Sequence, residues 1–509
     1  MLLTLEQEAA VANVARHKRI IAVAGAGKTT LLVEQIGRWL RDGADPEAML
    51  AITFTRRAGE TIRSRVRREH GIDIGYAGTI HGMAYLALAM AADGAHRQTP
   101  LTDAETDAVV DHVASVCSLR SKVCPKVKKA AQGDEPKRWG DAGEQALATH
   151  VARYMRSNRL VHVSSLVHHF VAALQAHADV RAWFRRHART ILWDEYQDVD
   201  DAEAQILGLV EPDRTFIVGD PQQAIYGFRG ANSEHLWQAQ VDATWPITMN
   251  FRSGARILDV ANLVQPGAGL DLRPFKTNAG DVRGWFSSVE QHSPEVAAIA
   301  AGVMLRETGG PVHILCRTNH EIVEVSAFLE QQGIAAMVAS PGFDRYAQPE
   351  WRKAFLAARY AMDPQCEWLA TKAKSIGMCR PVESPETTEV GHLVACYSAE
   401  DASVVRQDAK SEMTLPDFVA WYQRRDLQDL LPGADAAADA VIMTAHASKG
   451  LEFENVVVVG VGSSMGVQRG KTAAEDAEER NLLYVAVTRA MSHLALVGRR
   501  EAISALGVS

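Results

Sequence analysis

The run Arg19–Val23 is apolar and β-rich, and it passes through Ala24-Gly25-Ala26-Gly27 straight into Lys28-Thr29-Thr30 and a helical stretch. A strand that turns through glycines into a helix brings a row of backbone N–H groups to one point. Glycines let that backbone wrap closely around phosphates, and the helix N-terminus donates to them. In such a loop Lys28 would reach the β/γ-phosphates and Thr29 would bind Mg²⁺. Ala22 stands where the common pattern has its first glycine.

A second strand, Thr190–Trp193, delivers Asp194 and Glu195 to its C-terminal end. Acidic pairs at strand ends are often helix caps. Downstream of a phosphate-binding loop, the pair fits a different division of labour, in which the first carboxylate orients Mg²⁺ and the second polarises an attacking water. ATP and Mg²⁺ are therefore the expected cofactors.

Further buried strands are predicted at Met49–Phe54, Thr215–Val218, Val312–Cys316, Val441–Thr444 and Val456–Val459. Their alternation with helical stretches predicts an α/β fold with parallel sheets. Two stretches break the rhythm. Residues 83–187 read as helical and include a basic segment from Lys122 to Arg138; residues 363–439 mix helical pieces with a Pro/Glu/Thr-rich patch, Pro381 to Val390. Both look like insertions.

The chain has 509 residues, which suggests several domains. No apolar run is long enough for a membrane span, and the N-terminus lacks the pattern of a signal peptide, so a cytoplasmic location is expected. The six cysteines, at 117, 124, 316, 366, 379 and 396, form no C-x-x-C pair; zinc and iron–sulfur sites are not expected. A net charge of −8 argues against a protein that coats nucleic acid through bulk charge but leaves room for a local basic track.

Taken in order, a series of motifs resembles the UvrD/Rep/PcrA group of superfamily 1 helicases. Leu5-Glu6-Gln7 looks like the adenine-reading Q motif, and Ala22–Thr29 like motif I. Ile52–Ala58 and Gly78–Gly82 look like motifs Ia and Ib. Asp194–Asp198 is similar to motif II, Val218–Ala231 to motif III and Asn250–Ser253 to motif IV. Leu315–Asn319 resembles a further element of the second core domain. Thr444–Phe453 and Glu478–Ala490 look like motifs V and VI.

The resemblance implies two RecA-like P-loop domains with a helical insertion in each. The first core domain would span 1–82 and 188–249, with insertion 83–187; the second 250–362 and 440–509, with a reduced insertion at 363–439. ATP would sit between the cores against Gln7, Ala24, Gly25, Ala26, Gly27, Lys28, Thr29 and Thr30. Phe251 would stack on adenine, and Glu452 would link nucleotide state to the second core and its sugar or DNA contacts. Gln223 would sense the γ-phosphate; Arg252 and Arg489 would touch it from the second domain. Isolated arginines are ordinarily surface residues, and spacing alone does not select these two.

Single-stranded DNA and single/double-strand junctions are the implied substrates. Phe54 and Phe228 would stack on bases, with Phe228 standing where the family usually has tryptophan. Thr79, His81, Tyr226, Arg229, Arg317 and His446 match the family's DNA-contacting positions. Two basic runs, Arg56 to Arg68 and Lys122 to Arg138, are either solvated faces or part of the track, with Ala58, Ile62 and Val66 as the buried face of the first. The expected activity is ATP-driven 3′→5′ translocation with unwinding, alone or beside a repair or replication partner. The short second insertion and the absence of room for a fused nuclease keep an alternative open: a nucleic-acid-sensing ATPase that regulates a partner nuclease, similar to the helicase-like subunit of the Gabija antiviral system.

Overall fold

The computed structural model describes residues 3–117, 125–133, 142–265, 270–287, 293–340, most of 343–424, 438–466 and 472–508. Two parallel six-stranded sheets form its core. In the first, the spatial order is Tyr76–Thr79, Met49–Thr53, Thr190–Trp193, Arg214–Gly219, His17–Ala22, Ala243–Ile247. In the second it is Asp281–Phe286, Ala490–Gly498, Phe453–Val461, Val312–Cys316, Ala440–Thr444, Ala336–Val338. These are the two RecA-like sheets. Every strand predicted from the sequence is present, with ends shifted by up to a few residues.

Central strands such as Met49–Thr53 and Thr190–Trp193 are buried at every position. That is the pattern of a parallel sheet covered on both faces. Because the strands are parallel, their C-terminal ends lie along one edge, where open α/β sheets bind ligands. Strand His17–Ala22 lies beside Arg214–Gly219, which lies beside Thr190–Trp193. This neighbour order brings the Gly25–Gly27 turn, Asp194-Glu195 and the Asp220–Gln223 turn to one edge.

The chain packs as two compact units. One comprises Met1–Met83, His177–Gly342 and Leu430–Ser509; the other comprises Ala84–Ala176 and Phe343–Asp429. The first holds both sheets. The second joins the two insertions into one helical body. Within it, Arg359 Nε donates to Glu105 at 2.8 Å, Lys372 Nζ to Asp111 at 2.8 Å, and His112 Nδ1 meets Thr371 Oγ1 at 2.9 Å. An aromatic cluster of Tyr346, Trp351, Phe355, Phe418 and Tyr422 fills the later segment. The first insertion is not wholly helical as expected. Thr99–Leu101 pairs with Leu160–His162 as a short parallel ladder.

The arginine-rich helix Arg56–His70 is capped by Thr55 and ends at Gly71, whose φ of 71° suits a left-handed C-terminal turn. Ile62 and Val66 are buried on its inner face and Ala58 is half-buried. Several of its arginines are spent within the chain: Arg65 and Arg68 on Glu69, Arg67 on Asp73. In the second basic run Lys128 pairs with Asp107 at 2.8 Å; Lys122, Lys137 and Arg138 lie outside the described residues. No helix among the described residues is long and apolar enough to cross a membrane.

Candidate nucleotide and nucleic-acid site

The strand His17–Ala22 ends at the loop, and helix Lys28–Arg41 begins one residue past Gly27. Gly25 and Gly27 have φ of 67° and 74°, a region that favours glycine. At Gly25 space reinforces the need, since a Cβ would lie 2.5 Å from Asn250 Nδ2. Asn250 Nδ2 donates to the Ala24 carbonyl at 2.7 Å, and Phe251 N–H to the Gly25 carbonyl at 2.9 Å. Segment 250–253 is thus laced onto the loop. Its other side reaches the second sheet, where Ser253 Oγ donates to the Ala490 carbonyl at 2.6 Å.

Gln7 is buried, and both ends of its amide are engaged. Oε1 accepts from Thr4 N–H at 3.0 Å and Nε2 donates to the Ala26 carbonyl at 3.0 Å. Gln7 and the Phe251 ring both border Gly27. Phe251 packs against Phe275, centroids 4.8 Å apart. Thr29 lies half-buried on the first helical turn, and Thr30 Oγ1 accepts from Arg65 Nη1 at 3.1 Å.

Lys28 Nζ lies 3.2 Å from Glu195 Oε2. Glu195 has φ 53°, a left-handed conformation for a non-glycine residue; backbone strain of this kind clusters at functional sites. Burial works to raise its carboxyl, but Lys28, Lys449 and a 2.6 Å hydrogen bond from Gln197 outweigh that and hold it well below the usual range. Asp194 is pushed the other way, by burial and then by the Glu195 charge. Asp220 is also raised, by burial, and accepts from Gln223 Nε2 at 2.6 Å. Crowded, buried carboxylates around Lys28 form a donor set that suits a divalent cation, with Thr29 and Asp194 as the residues that would hold it.

Arg252 and Arg489 face this edge from the second sheet's side. Arg252 donates to Glu452 at 2.8 Å and to the Thr488 carbonyl at 3.1 Å. Arg489 is 1% exposed and is pinned by Val485 and Leu451 carbonyls at 3.0 Å and Thr488 Oγ1 at 3.2 Å. Its Nη2 lies 3.5 Å from Gln223 Oε1. Burial, then Arg252, pulls its guanidinium down to about 9. A buried guanidinium with a second guanidinium beside it makes a site that an anion would complete, which fits a polyphosphate.

The expected nucleic-acid positions form an aromatic row. Phe54 stacks on Tyr226, centroids 5.2 Å and planes 13° apart; Phe228 meets Tyr226 edge-on at 6.1 Å and His446 at 5.6 Å. Phe54 and Phe228 are 46% and 66% exposed, an unusual state for large aromatics, while Tyr226 is buried beneath them. Arg229 lies over both Tyr226 and Phe228. His446 is lowered to about 4, by burial and then by Arg317, Arg229 and Lys449. Thr79 ends the strand beside Met49–Thr53 and caps the turn through Gly82 N–H; half-buried His81 follows on the next helix. Arg317 is engaged within the chain, donating to Glu479 at 2.6 Å.

Several residues in the quoted motifs had no assigned role and prove central. Lys449 Nζ donates to Asp198 and, at 2.6 Å, to the Gln223 carbonyl. Asn481 Nδ2 donates to the Ala224 carbonyl at 2.8 Å, and Glu478 accepts from Gly227 N–H at 3.1 Å. Together they hold the 223–227 turn from the second sheet's side. Motif membership was their only sequence signal.

The family model for the UvrD/REP helicase N-terminal domain matches residues 3–244, and that for the UvrD-like helicase C-terminal domain matches residues 396–500. The chain belongs to the UvrD/REP helicase family. Similar curated proteins include the ATP-dependent DNA helicase UvrD2 of Mycobacterium tuberculosis, 27% identical over 94% of this chain and 76% of the relative. The ATP-dependent DNA helicase PcrA of Leuconostoc citreum is 24% identical over 94% and 79%. DNA helicase II of Escherichia coli is 24% identical over 96% and 83%.

Proposed function

We propose that this protein is an ATP-dependent DNA helicase that moves 3′→5′ along single-stranded DNA and opens duplexes at single/double-strand junctions. The observation that carries the reading is the joining of two half-sites through one turn. Residues 219–229 supply Asp220 and Gln223 to the nucleotide edge, and Tyr226 and Phe228 to the aromatic row. A displacement at one end of so short a segment is felt at the other. The direction of movement rests on family resemblance.

ATP with Mg²⁺, when bound, supplies the phosphoryl group and the free energy of hydrolysis. The Gly25–Gly27 backbone and Lys28 would hold the phosphates, and Thr29 and Asp194 the cation. Glu195, kept ionised by Lys28 and Lys449, accepts a proton from the attacking water at its carboxylate. Arg252 and Arg489 offer fixed positive charge opposite the loop, where negative charge develops on the transferring group. Phe54 and Phe228 offer exposed faces to successive bases, a sequence-tolerant grip, and Arg229 a charge for the backbone.

A strand-displacement assay on tailed duplexes of both polarities tests the reading. Displacement with a 3′ tail and ATP is expected. Strand-stimulated ATP hydrolysis with no displacement on either tail would sink the helicase reading and favour a sensor that acts on a partner nuclease.

A further inference from the structure

We propose that Lys449 is the positioning residue that couples occupancy of the aromatic row to the water-activating carboxylate Glu195. The inference rests on reading the site as a single-strand-stimulated ATPase. Lys449 lies in the turn after strand Ala440–Thr444 of the second sheet, whereas everything its ammonium touches belongs to loops of the first.

The contacts run in two directions. Towards the nucleic-acid side, Nζ lies 4.9 Å from the Tyr226 ring centroid, on the residue that stacks under Phe54 and meets Phe228 edge-on. Towards the nucleotide side, Nζ pairs with Asp198 Oδ2 and donates to the Gln223 carbonyl. Asp198 Oδ2 also lies 3.3 Å from Gln197 Nε2, which donates to Glu195 Oε2 at 2.6 Å. The path Tyr226, Lys449, Asp198, Gln197, Glu195 therefore has no gap.

The pair is also dry. The Lys449 and Asp198 side chains are 4% and 3% exposed. Asp198 Oδ1 is buried and finds no hydrogen-bond partner among the described residues, so the carboxylate is held through its other oxygen alone. Water cannot readily replace an ammonium that shifts in such a place. A base that tilts Tyr226 changes what Lys449 rests on, and the ion pair relays the change to Gln197 and Glu195.

The test compares wild type with Lys449→Arg and with the double variant Lys449→Met/Asp198→Asn, which removes both charges so that neither is left buried alone. ATP turnover is measured with and without oligo(dT), together with the KM for ATP, oligo(dT) affinity by fluorescence anisotropy, and Tm. The double variant is expected to fold with a Tm near wild type and to lose about tenfold in the ratio of strand-bound to strand-free turnover, a typical coupling magnitude. KM for ATP and strand affinity should move much less, and Lys449→Arg should recover part of the ratio. A folded double variant with the wild-type ratio would overturn the proposal while leaving the function intact. Wild-type protein whose turnover ignores oligo(dT) would overturn the functional reading itself, and the proposal with it.

Discussion

Lys28 Nζ lies 3.2 Å from Glu195 Oε2, with the side chains 10% and 21% exposed. The lysine that would grip phosphate and the carboxylate that would activate water thus neutralise one another within the pocket. Replacing Glu195 by Gln keeps the shape and removes the base. ATP turnover should fall by about 10²–10⁴, the usual worth of a positioned general base, while ATP binding survives. Lys28→Ala should weaken ATP binding as well. Glu195→Gln protein that hydrolyses ATP at the wild-type rate would refute the assignment.

The two arginines should separate in their effects. Arg252 is held by Glu452 and a carbonyl, whereas Arg489 is fully buried among four acceptors. Arg252→Ala should lower turnover by roughly 10³ or more with little change in Tm. Arg489→Ala should lower both, because it strands buried carbonyls. Equal Tm losses in the two variants would contradict this difference.

Phe228 is 66% exposed and meets its aromatic neighbours only edge-on, so truncation should not disturb the fold. Phe228→Ala should weaken single-strand binding by about 1–3 kcal/mol without changing its salt dependence. Arg229→Ala should instead reduce the salt slope by about 1. Anisotropy titrations across a salt series distinguish the two, and matching slopes for both variants would count against the division.

His313, stacked on Phe453 at 3.8 Å, is lowered to about 4 by burial. The unfolded chain binds this proton below about pH 6.5, so the stability from a neutral His313 is present above that pH and is lost as pH falls towards 4. Asp194, Asp198 and Glu203 are raised by burial and titrate in the opposite sense, so the total slope is not the readout. The Tm difference between wild type and His313→Gln should be larger at pH 7 than at pH 5. A pH-independent difference would refute it.

Arg359 covers Glu105, which is 0% exposed. Arg359→Met should destabilise the helical unit by about 1–3 kcal/mol. Hydrogen exchange should localise the loss to 84–176 and 343–424, and exchange that rises equally in the sheets would argue against a local role.

The predicted strands are those buried at every or nearly every position, where an unbroken apolar run is itself the signal. The strands that escaped prediction are short, partly exposed or placed at sheet edges. Tyr76–Thr79, Ala243–Ile247, Asp281–Phe286 and Ala336–Val338 are only partly buried, so no run marks them. Ala490–Gly498 is half-buried in its first part and follows directly on a helix. Likewise the two insertions read as separate segments, because the ion pairs that unite them join residues far apart in the chain.

By itself the sequence determined the chemistry available: a glycine-turned phosphate loop, paired carboxylates at a strand end, and arginines and aromatics in a family order. These are local facts, set by residue type and near spacing. Only the tertiary structure decided which groups meet. It turned Gln7 and Arg317 towards partners within the chain, stacked Phe54 on Tyr226, and placed Lys449 between the two half-sites. A desolvated contact between residues hundreds of positions apart depends on where sheet order and loop closure bring them, and no local pattern records that.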